Sequence, residues 1–253
     1  MRETTQVRFS RTGAIARLTF ERRAQLNALS PLLIDEALDV AKAVAASDAR
    51  VLIVSGAGRS FSAGVDLKAV SAPEYTREVA RRFSEQARTL ALTLETMPQP
   101  VIAQVSGHCF TGGLELALAC DLIVASDDAQ FCDTHGKLGL RPGWGLSQRL
   151  PRRIGIMRAK EMSFTGRRVG AEEALRHGLI LEHVPLPYLA DRVTGLAEAI
   201  AACDVSSIAA YKTLYRAADT GLDDGLMFEA SFRAPRPDNA AARLPLARHL
   251  GSR

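Results

Sequence analysis

Residues 101–125, VIAQVSGHCFTGGLELALACDLIVA, contain two apolar runs separated by a glycine-rich turn and a short apolar helix. Val101–Val105 has the composition and length of a buried strand. The pair Gly112-Gly113 opens a helical pattern that continues to Cys120, and residues 121–125 form the next predicted strand. Parallel strands need a crossover of about a dozen residues or more, commonly a helix, so this stretch predicts an α/β fold.

The same alternation extends to both sides of this stretch. Ser30 and Pro31 have the residue types of a helix cap and first helical position, and they open a predicted helix to about residue 46. A second long helix is predicted over 74–94, and further strands are predicted over residues 13–20, 50–54 and 179–184. From residue 187 onward the pattern is helical, so we expect an α/β core over 1–190 and a helical C-terminal region over 191–253.

Composition restricts the partners of the chain. Hydrophobic residues make up 47% of the 253 residues and charged residues 24%, which is typical of a folded globular protein. The net charge of +4 comes from scattered basic residues without a nucleic-acid-reading motif, so it favours an anionic small molecule over nucleic acid. No apolar run reaches the ~18 residues of a membrane span, and no apolar leader opens the chain, so we predict a cytoplasmic protein.

Several common chemistries lack their motifs. Gly56-Ala57-Gly58 follows a predicted strand, but Phe61 stands where a dinucleotide-binding fingerprint has its third glycine. The sequence has no P-loop and no Cys/His cluster with zinc spacing, so neither nucleoside-triphosphate nor metal chemistry is predicted. The four cysteines form no CxxC pair, and we expect reduced, buried thiols.

Two glycine-containing loops follow consecutive predicted strands, at residues 60–68 and 107–115. Each exposes backbone N–H groups where a strand ends, and two such donors on one oxygen stabilise an enolate by about 3 kcal/mol each. Glu115 lies three residues after Gly112, so its side chain returns to the face of that N–H group. The alternative interpretation is a pair of tight turns and an ordinary glutamate in a first helical turn.

The order and spacing of five motifs resemble the enoyl-CoA hydratase/isomerase (crotonase) superfamily over about residues 7–230. These motifs are NALS at 27–30, FSAGVDLK at 61–68, GGLELA at 112–117, AQF at 129–131 and PGWG at 142–145. The resemblance implies a spiral of strand-strand-helix turns, a helical C-terminal region that trimerises, and acyl-CoA thioester substrates. It implies no metal or redox cofactor, since coenzyme A is part of the substrate.

Carried over residue by residue, the resemblance places the N–H groups of Val65 and Gly112 on the thioester carbonyl and makes Glu115 the first catalytic glutamate. It also implies a set of residues along the coenzyme A moiety, with Lys68, Arg22 and Arg23 as charges near its phosphates. The remaining members of this set are Gln25, Leu26, Ser62, Ala63, Asp66 and Leu67.

One position departs from the family pattern. His135 stands where hydratases of the family have their second glutamate. An imidazole with an ordinary pKa of about 6.5 can act as acid or base and can orient a water molecule, and Asp133 and Thr134 are neighbours able to orient the ring. The alternative is a loop histidine without a chemical role.

The only tryptophan, Trp144, lies in the PGWG turn, which borders the acyl pocket in the family. We expect it to shape the acyl group, to anchor the loop, or both. The predicted function is hydration of a 2-enoyl-CoA by a homotrimer or a dimer of trimers. Two alternatives are a double-bond isomerase of the same family, which needs one carboxylate, and an acyl-CoA-binding protein without turnover.

Overall fold

The computed structural model describes residues 4–217 together with Met227. Its strands in chain order are β1 (Val7–Thr12), β2 (Ile15–Phe20), β3 (Val51–Gly56), β4 (Ser60–Ser62), β5 (Val101–Val105), β6 (His108–Phe110), β7 (Leu122–Ser126), β8 (Gln130–Cys132), β9 (Val169–Gly170) and β10 (Glu182–Val184). Its helices are α1 (Pro31–Ala45), α2 (Leu67–Val70), α3 (Arg77–Thr96), α4 (Gly112–Leu118), α5 (Leu146–Ile154), α6 (Ile156–Thr165), α7 (Ala171–Arg176), α8 (Leu186–Ala201) and α9 (Val205–Ala217).

The strands form two sheets. The first has the order β1-β2-β3-β5-β7-β10 and is parallel from β2 onward, while the second has the order β4-β6-β8-β9. Successive turns of the chain place one strand in each sheet and then a helix, as in β3-β4-α2/α3, β5-β6-α4 and β7-β8-α5. This arrangement confirms the predicted α/β class and the strand-strand-helix spiral.

The central strands of the first sheet are buried on both faces. Leu52 and Val54 of β3 face the main core, whereas the alternate residues Val51 and Ile53 face α8. Since strand side chains alternate between faces, a strand covered on both sides has the continuous apolar run seen here. Residue 190, the predicted boundary of the C-terminal region, lies within α8, and residues 218–226 and 228–253 of that region lie outside the described residues.

Three sequence predictions differ from the structure. The predicted strand at 13–20 is the second strand of a hairpin, because β1 pairs with β2 across a turn in which Gly13 has φ +56°. Only Val7 of β1 is buried, so this edge strand lacks an apolar pattern in the sequence.

The helix predicted over 74–94 begins at Arg77, where the Thr76 side chain accepts from the Val79 N–H. Cys203 is exposed, unlike the buried Cys109, Cys120 and Cys132, because it follows the end of α8.

No single helix among the described residues is long and apolar enough to cross a bilayer. Helices α8 and α9 reach that length and hydropathy only as a pair, which is bent by 105°.

Candidate active site

The loops after β4 and β6 lie side by side because these two strands pair in parallel. Gly64 has φ +94°, and a Cβ atom there would lie 3.1 Å from the Phe110 carbonyl oxygen. A Cβ atom on Gly113 would lie 2.8 Å from the Ser62 Cβ atom. The glycines of both motifs therefore allow two backbone segments to approach more closely than side chains permit.

Backbone pairing aims the Val65 N–H group away from its neighbouring segment. The Leu29 N–H donates to the Gly64 carbonyl at 2.8 Å, and the Asp66 N–H donates to the Leu29 carbonyl at 3.0 Å. In such a parallel bridge the residue between the two bonded groups, here Val65, points its N–H away from Leu29. Within residues 4–217, the N–H groups of Val65 and Gly112 have no hydrogen-bond acceptor, so both are available to a substrate oxygen.

Thr111, immediately before this second donor, has an unusual backbone conformation. Its φ of 51° and ψ of −112° are rare for a β-branched residue. The Thr111 N–H donates to the Cys132 carbonyl at 2.8 Å, and its hydroxyl lies 2.6 Å from the hydroxyl of Thr134. These bonds hold the strained residue in place, which is how strain is commonly retained beside functional groups. The sequence carries no signal for this conformation.

Trp144 lies against the second glycine loop. A Cβ atom on Gly112 would lie 2.5 Å from the Trp144 Cζ3 atom, so the indole ring contacts the residue that supplies the free N–H group. The Trp144 ring is buried and meets the Phe83 ring edge-on, with the ring centroids 5.4 Å apart. Phe83 in turn contacts Tyr75. The tryptophan therefore both anchors its loop and borders the site, and its aromatic partners on or near α3 are not predictable from the sequence.

Glu115 is buried on α4, with 1% of the residue exposed. Its Oε1 atom accepts hydrogen bonds from the backbone N–H groups of Trp144 at 2.8 Å and Leu146 at 3.1 Å. Burial raises the pKa of Glu115 above its ordinary value, and these two hydrogen bonds offset only part of that effect. A buried carboxyl group with a raised pKa is more readily protonated than an exposed one, so it can donate a proton to a bound substrate.

His135 faces this carboxyl group. Its Nε2 atom lies 3.7 Å from the Glu115 Oε2 atom, and its Nδ1 atom lies 2.7 Å from the Asp133 Oδ1 atom. All three side chains are buried. The structure thus brings together Glu115 and His135, the two residues predicted for proton transfer, and places Asp133, one of the two neighbours expected to orient the ring, against its Nδ1 atom.

Arg22 and Asp66, which are both expected along the substrate, form an ion pair with each other. The Arg22 guanidinium pairs with the Asp66 carboxylate at 2.8 Å and donates to the Ala28 carbonyl. Asp66 also accepts from the N–H groups of Lys68 and Ala69 at the start of α2. Burial opposes ionisation of Asp66, but the bonds from Arg22 and these N–H groups lower its pKa below the ordinary value. The ion pair thus links the turn before α1 to the loop after β4.

The other predicted coenzyme A contacts divide into buried and exposed groups. Ser62 is buried, and its hydroxyl donates to the Asn27 carbonyl and accepts from the Gly64 N–H. Leu26 and Ala63 are half-buried. The exposed group consists of Arg23, Gln25, Leu67 and Lys68. Arg23 is paired with Glu21 at 2.8 Å.

Over the part of the chain that the structure describes, no group of three or more His, Cys, Asp or Glu side chains is placed to hold a metal ion.

Comparison with known proteins gives a consistent result. The family model described as Enoyl-CoA hydratase/isomerase matches residues 10–235. The Arabidopsis thaliana protein named "Probable enoyl-CoA hydratase 1, peroxisomal" is 36% identical over 193 residues, which cover 75% of this chain and 70% of that protein.

Solved structures share the fold. The enoyl-CoA hydratase of Bacillus anthracis superposes with a TM-score of 0.86 at 34% identity, covering 89% of this chain and 88% of that chain. A Thermobifida fusca YX protein solved in complex with acetoacetyl-CoA superposes with a TM-score of 0.83 at 26% identity, covering 96% of this chain and 95% of that chain. The family-model match over residues 10–235 spans both glycine loops and the helix that carries Glu115.

Proposed function

The chain belongs to the enoyl-CoA hydratase/isomerase family, and we propose that it adds water reversibly to a 2-enoyl-CoA thioester to form the 3-hydroxyacyl-CoA. One observation carries the proposal. Glu115 and His135 face each other across 3.7 Å beside two backbone N–H groups that have no acceptor among residues 4–217.

The free N–H groups of Val65 and Gly112 form the oxyanion hole of this reaction. When a hydroxyl adds to C3 of the enoyl group, the electrons of the double bond move towards the thioester, and charge develops on its oxygen as an enolate. Donors already aimed at that oxygen stabilise it by about 3 kcal/mol each. Neither donor has to break a bond to a protein acceptor in the described structure before it binds the substrate.

Hydration needs one group to accept a proton from water and another to deliver a proton to the α-carbon. Glu115 and His135 are both able to exchange protons, and a water molecule about 2.8 Å from each would fit off the line between atoms that are 3.7 Å apart. Coenzyme A enters as part of the substrate, and the scheme uses no other cofactor.

A double-bond isomerase shuttles one proton between the α- and γ-carbons and needs only one carboxyl group. The second titratable side chain beside Glu115 favours hydration, because the isomerase has no water molecule to activate. The names of the Arabidopsis and Bacillus relatives agree with hydration. A binding protein without turnover has no use for a buried carboxyl group, since burying it costs free energy.

We further propose that the coenzyme A moiety lies along residues 22–26 and 62–68, with Arg23 and Lys68 near its phosphates. Both cationic side chains are exposed, and the acetoacetyl-CoA complex of the Thermobifida relative supports the ligand class. Assembly as a trimer or a dimer of trimers and a cytoplasmic location stay predictions from the sequence.

The test follows the loss of the conjugated enoyl-thioester absorbance over a panel of 2-enoyl-CoA chain lengths, with product identified by mass spectrometry. We expect a product heavier by one water molecule for at least one chain length. Conversion of 3-enoyl-CoA to 2-enoyl-CoA without hydration would instead assign the isomerase. Binding of acyl-CoA in calorimetry without any turnover would contradict both enzyme assignments.

A further inference from the structure

Asp133 makes an unusual pair of hydrogen bonds to a single residue. Its Oδ1 atom accepts from the backbone N–H of His135 at 3.1 Å and lies 2.7 Å from the ring Nδ1 atom of His135. Asp133 is 2% exposed, so neither bond competes with bulk water. The carboxylate therefore fixes both the backbone and the imidazole ring of its neighbour two residues along the chain.

These bonds determine which ring nitrogen carries the proton. An ionised carboxylate only accepts hydrogen bonds, so a neutral imidazole bonded to it through Nδ1 carries its hydrogen there. Burial opposes ionisation of Asp133, but hydrogen bonds from the side chains of His135 and Ser163 outweigh it and lower the pKa of Asp133. In this tautomer the Nε2 atom has a free lone pair, and it points to Glu115.

The hydrogen bonds of Glu115 are complementary to this arrangement. Its Oε1 atom already accepts two backbone N–H bonds, from Trp144 and Leu146. When the carboxyl group is protonated, its hydrogen therefore lies on Oε2, the oxygen that faces Nε2. The site then has one proton donor, Oε2 of Glu115, and one proton acceptor, Nε2 of His135.

We propose that Asp133 is a positioning residue that holds His135 in the Nδ1–H tautomer, so that Nε2 accepts the proton of water and Glu115 Oε2 supplies the proton of the α-carbon. This assignment of roles rests on the proposed hydration.

The proton balance closes without another reactant. The water oxygen bonds to C3 while one water proton goes to Nε2, and the enolate then takes the Oε2 proton at the α-carbon. The step leaves an imidazolium beside a Glu115 carboxylate. Transfer of the Nε2 proton to Oε2 across the 3.7 Å gap, directly or through the next water molecule, restores the starting state.

The chain supplies a matched control for this pair. Asp127 Oδ1 lies 2.6 Å from His183 Nδ1, which is the same bond between the same atoms, and the Asp127 side chain is 52% exposed. Asp127→Asn removes the carboxylate charge from the exposed pair, and Asp133→Asn removes it from the buried pair. Among residues 4–217, only the buried pair has a glutamate opposite its Nε2 atom, at 3.7 Å.

The experiment compares Asp133→Asn with Asp127→Asn in the hydration assay. An asparagine keeps the size of the side chain, but its amide can donate a hydrogen bond and so favours the Nε2–H tautomer of His135. The same Asp→Asn change in the serine-protease triad lowers kcat by about 10⁴-fold through the wrong tautomer. We expect kcat of Asp133→Asn to fall by at least about 100-fold with little change in KM, and Asp127→Asn to behave as the wild type. Equal kcat in Asp133→Asn and the wild type would overturn the proposal.

Nitrogen-15 NMR of histidine-labelled wild-type protein tests the tautomer independently of turnover and of the folding of any variant. We expect the His135 signals, assigned by their loss in His135→Gln, to show a protonated Nδ1 and an unprotonated Nε2. The Nε2–H tautomer would overturn the proposal even if the enzyme hydrates its substrate. If the wild type hydrates no enoyl-CoA, the proposed function fails, and the roles assigned to Nε2 and Oε2 fail with it, whereas an Nδ1–H signal would still support the positioning by Asp133.

Discussion

Two aspartate–histidine pairs in this protein share the same bond but differ in their surroundings. His135 Nδ1 lies 2.7 Å from Asp133, and His183 Nδ1 lies 2.6 Å from Asp127. The Asp133 side chain is 2% exposed and that of Asp127 is 52% exposed. The distance between the partners is therefore no guide to what each pair can do.

The surroundings separate the two pairs in two ways. A surface pair contributes little because water and salt screen it, whereas a buried pair keeps its geometry and its electrostatic strength. The buried pair also has Glu115 on the far side of its imidazole ring. We therefore expect burial and a third group, rather than the pair itself, to decide which pair can transfer protons.

The largest expected effect comes from removing the third group. Glu115→Gln should lower the kcat of hydration by about 10³-fold, because the amide cannot deliver a proton to the α-carbon. Glu173→Gln is the matched control, since Glu173 Oε1 lies 3.8 Å from the Nε2 atom of the less buried His177. Steady-state hydration assays should show unchanged activity in the control. Comparable rates in Glu115→Gln and the wild type would remove Glu115 from the mechanism.

Replacing the histidine of each pair should produce the next largest difference in effect on hydration activity. His135→Gln should lower kcat by about 10²-fold, because water loses its base while the oxyanion hole and Glu115 stay in place. His183→Gln should retain wild-type activity, since His183 lies on β10 and bonds Asp127. The same assay measures both, and a similar loss in the two variants would show that the comparison is wrong.

Stability should also differ between the pairs. Asp133→Ala leaves the buried backbone and ring nitrogens of His135 without their partner, which should cost about 3 kcal/mol of unfolding free energy. Asp127→Ala breaks the exposed pair and should cost less than about 1 kcal/mol. Urea unfolding followed by the fluorescence of the single tryptophan compares the variants. Equal losses would mean that burial does not distinguish the pairs.

The smallest effect concerns the pH dependence of stability. Because the pKa of Glu115 is raised by burial, the folded protein binds this proton more tightly than the unfolded chain, and stability falls as pH rises above the ordinary glutamate pKa through the raised value. Glu115→Gln lacks this loss, so its stability relative to the wild type should rise from pH 4 to pH 8. Urea midpoints across that range measure it, and a constant difference would contradict the raised pKa.

Local patterns predicted much of the fold. The Ser30-Pro31 start of α1 and the strand Val101–Val105 occur as expected, because capping and apolar periodicity act within a few residues. The hairpin partner β1 was missed, since an edge strand with one buried residue has no apolar pattern. Local signals failed where an element depends on its neighbour in the sheet.

The site shows the same division. The motif match identified Glu115 and His135, and their separation of 3.7 Å agrees with a joint role. The match could not show that Arg22 and Asp66 are bonded to each other. That pairing depends on the side-chain directions of two loops that are more than 40 residues apart in the chain.

Residue types and spacing alone thus predicted the α/β class and the glycine loops, because these depend on local backbone preferences. The family resemblance added Glu115 and His135 as the candidates for proton transfer. Only the tertiary structure separated the two aspartate–histidine pairs. The end of β8 and the chain after it supply the partners of this site: Cys132 and Thr134 bond Thr111, the Trp144 N–H donates to Glu115, and His135 faces Glu115. Long-range packing sets the distances and dielectric environment on which proton transfer depends.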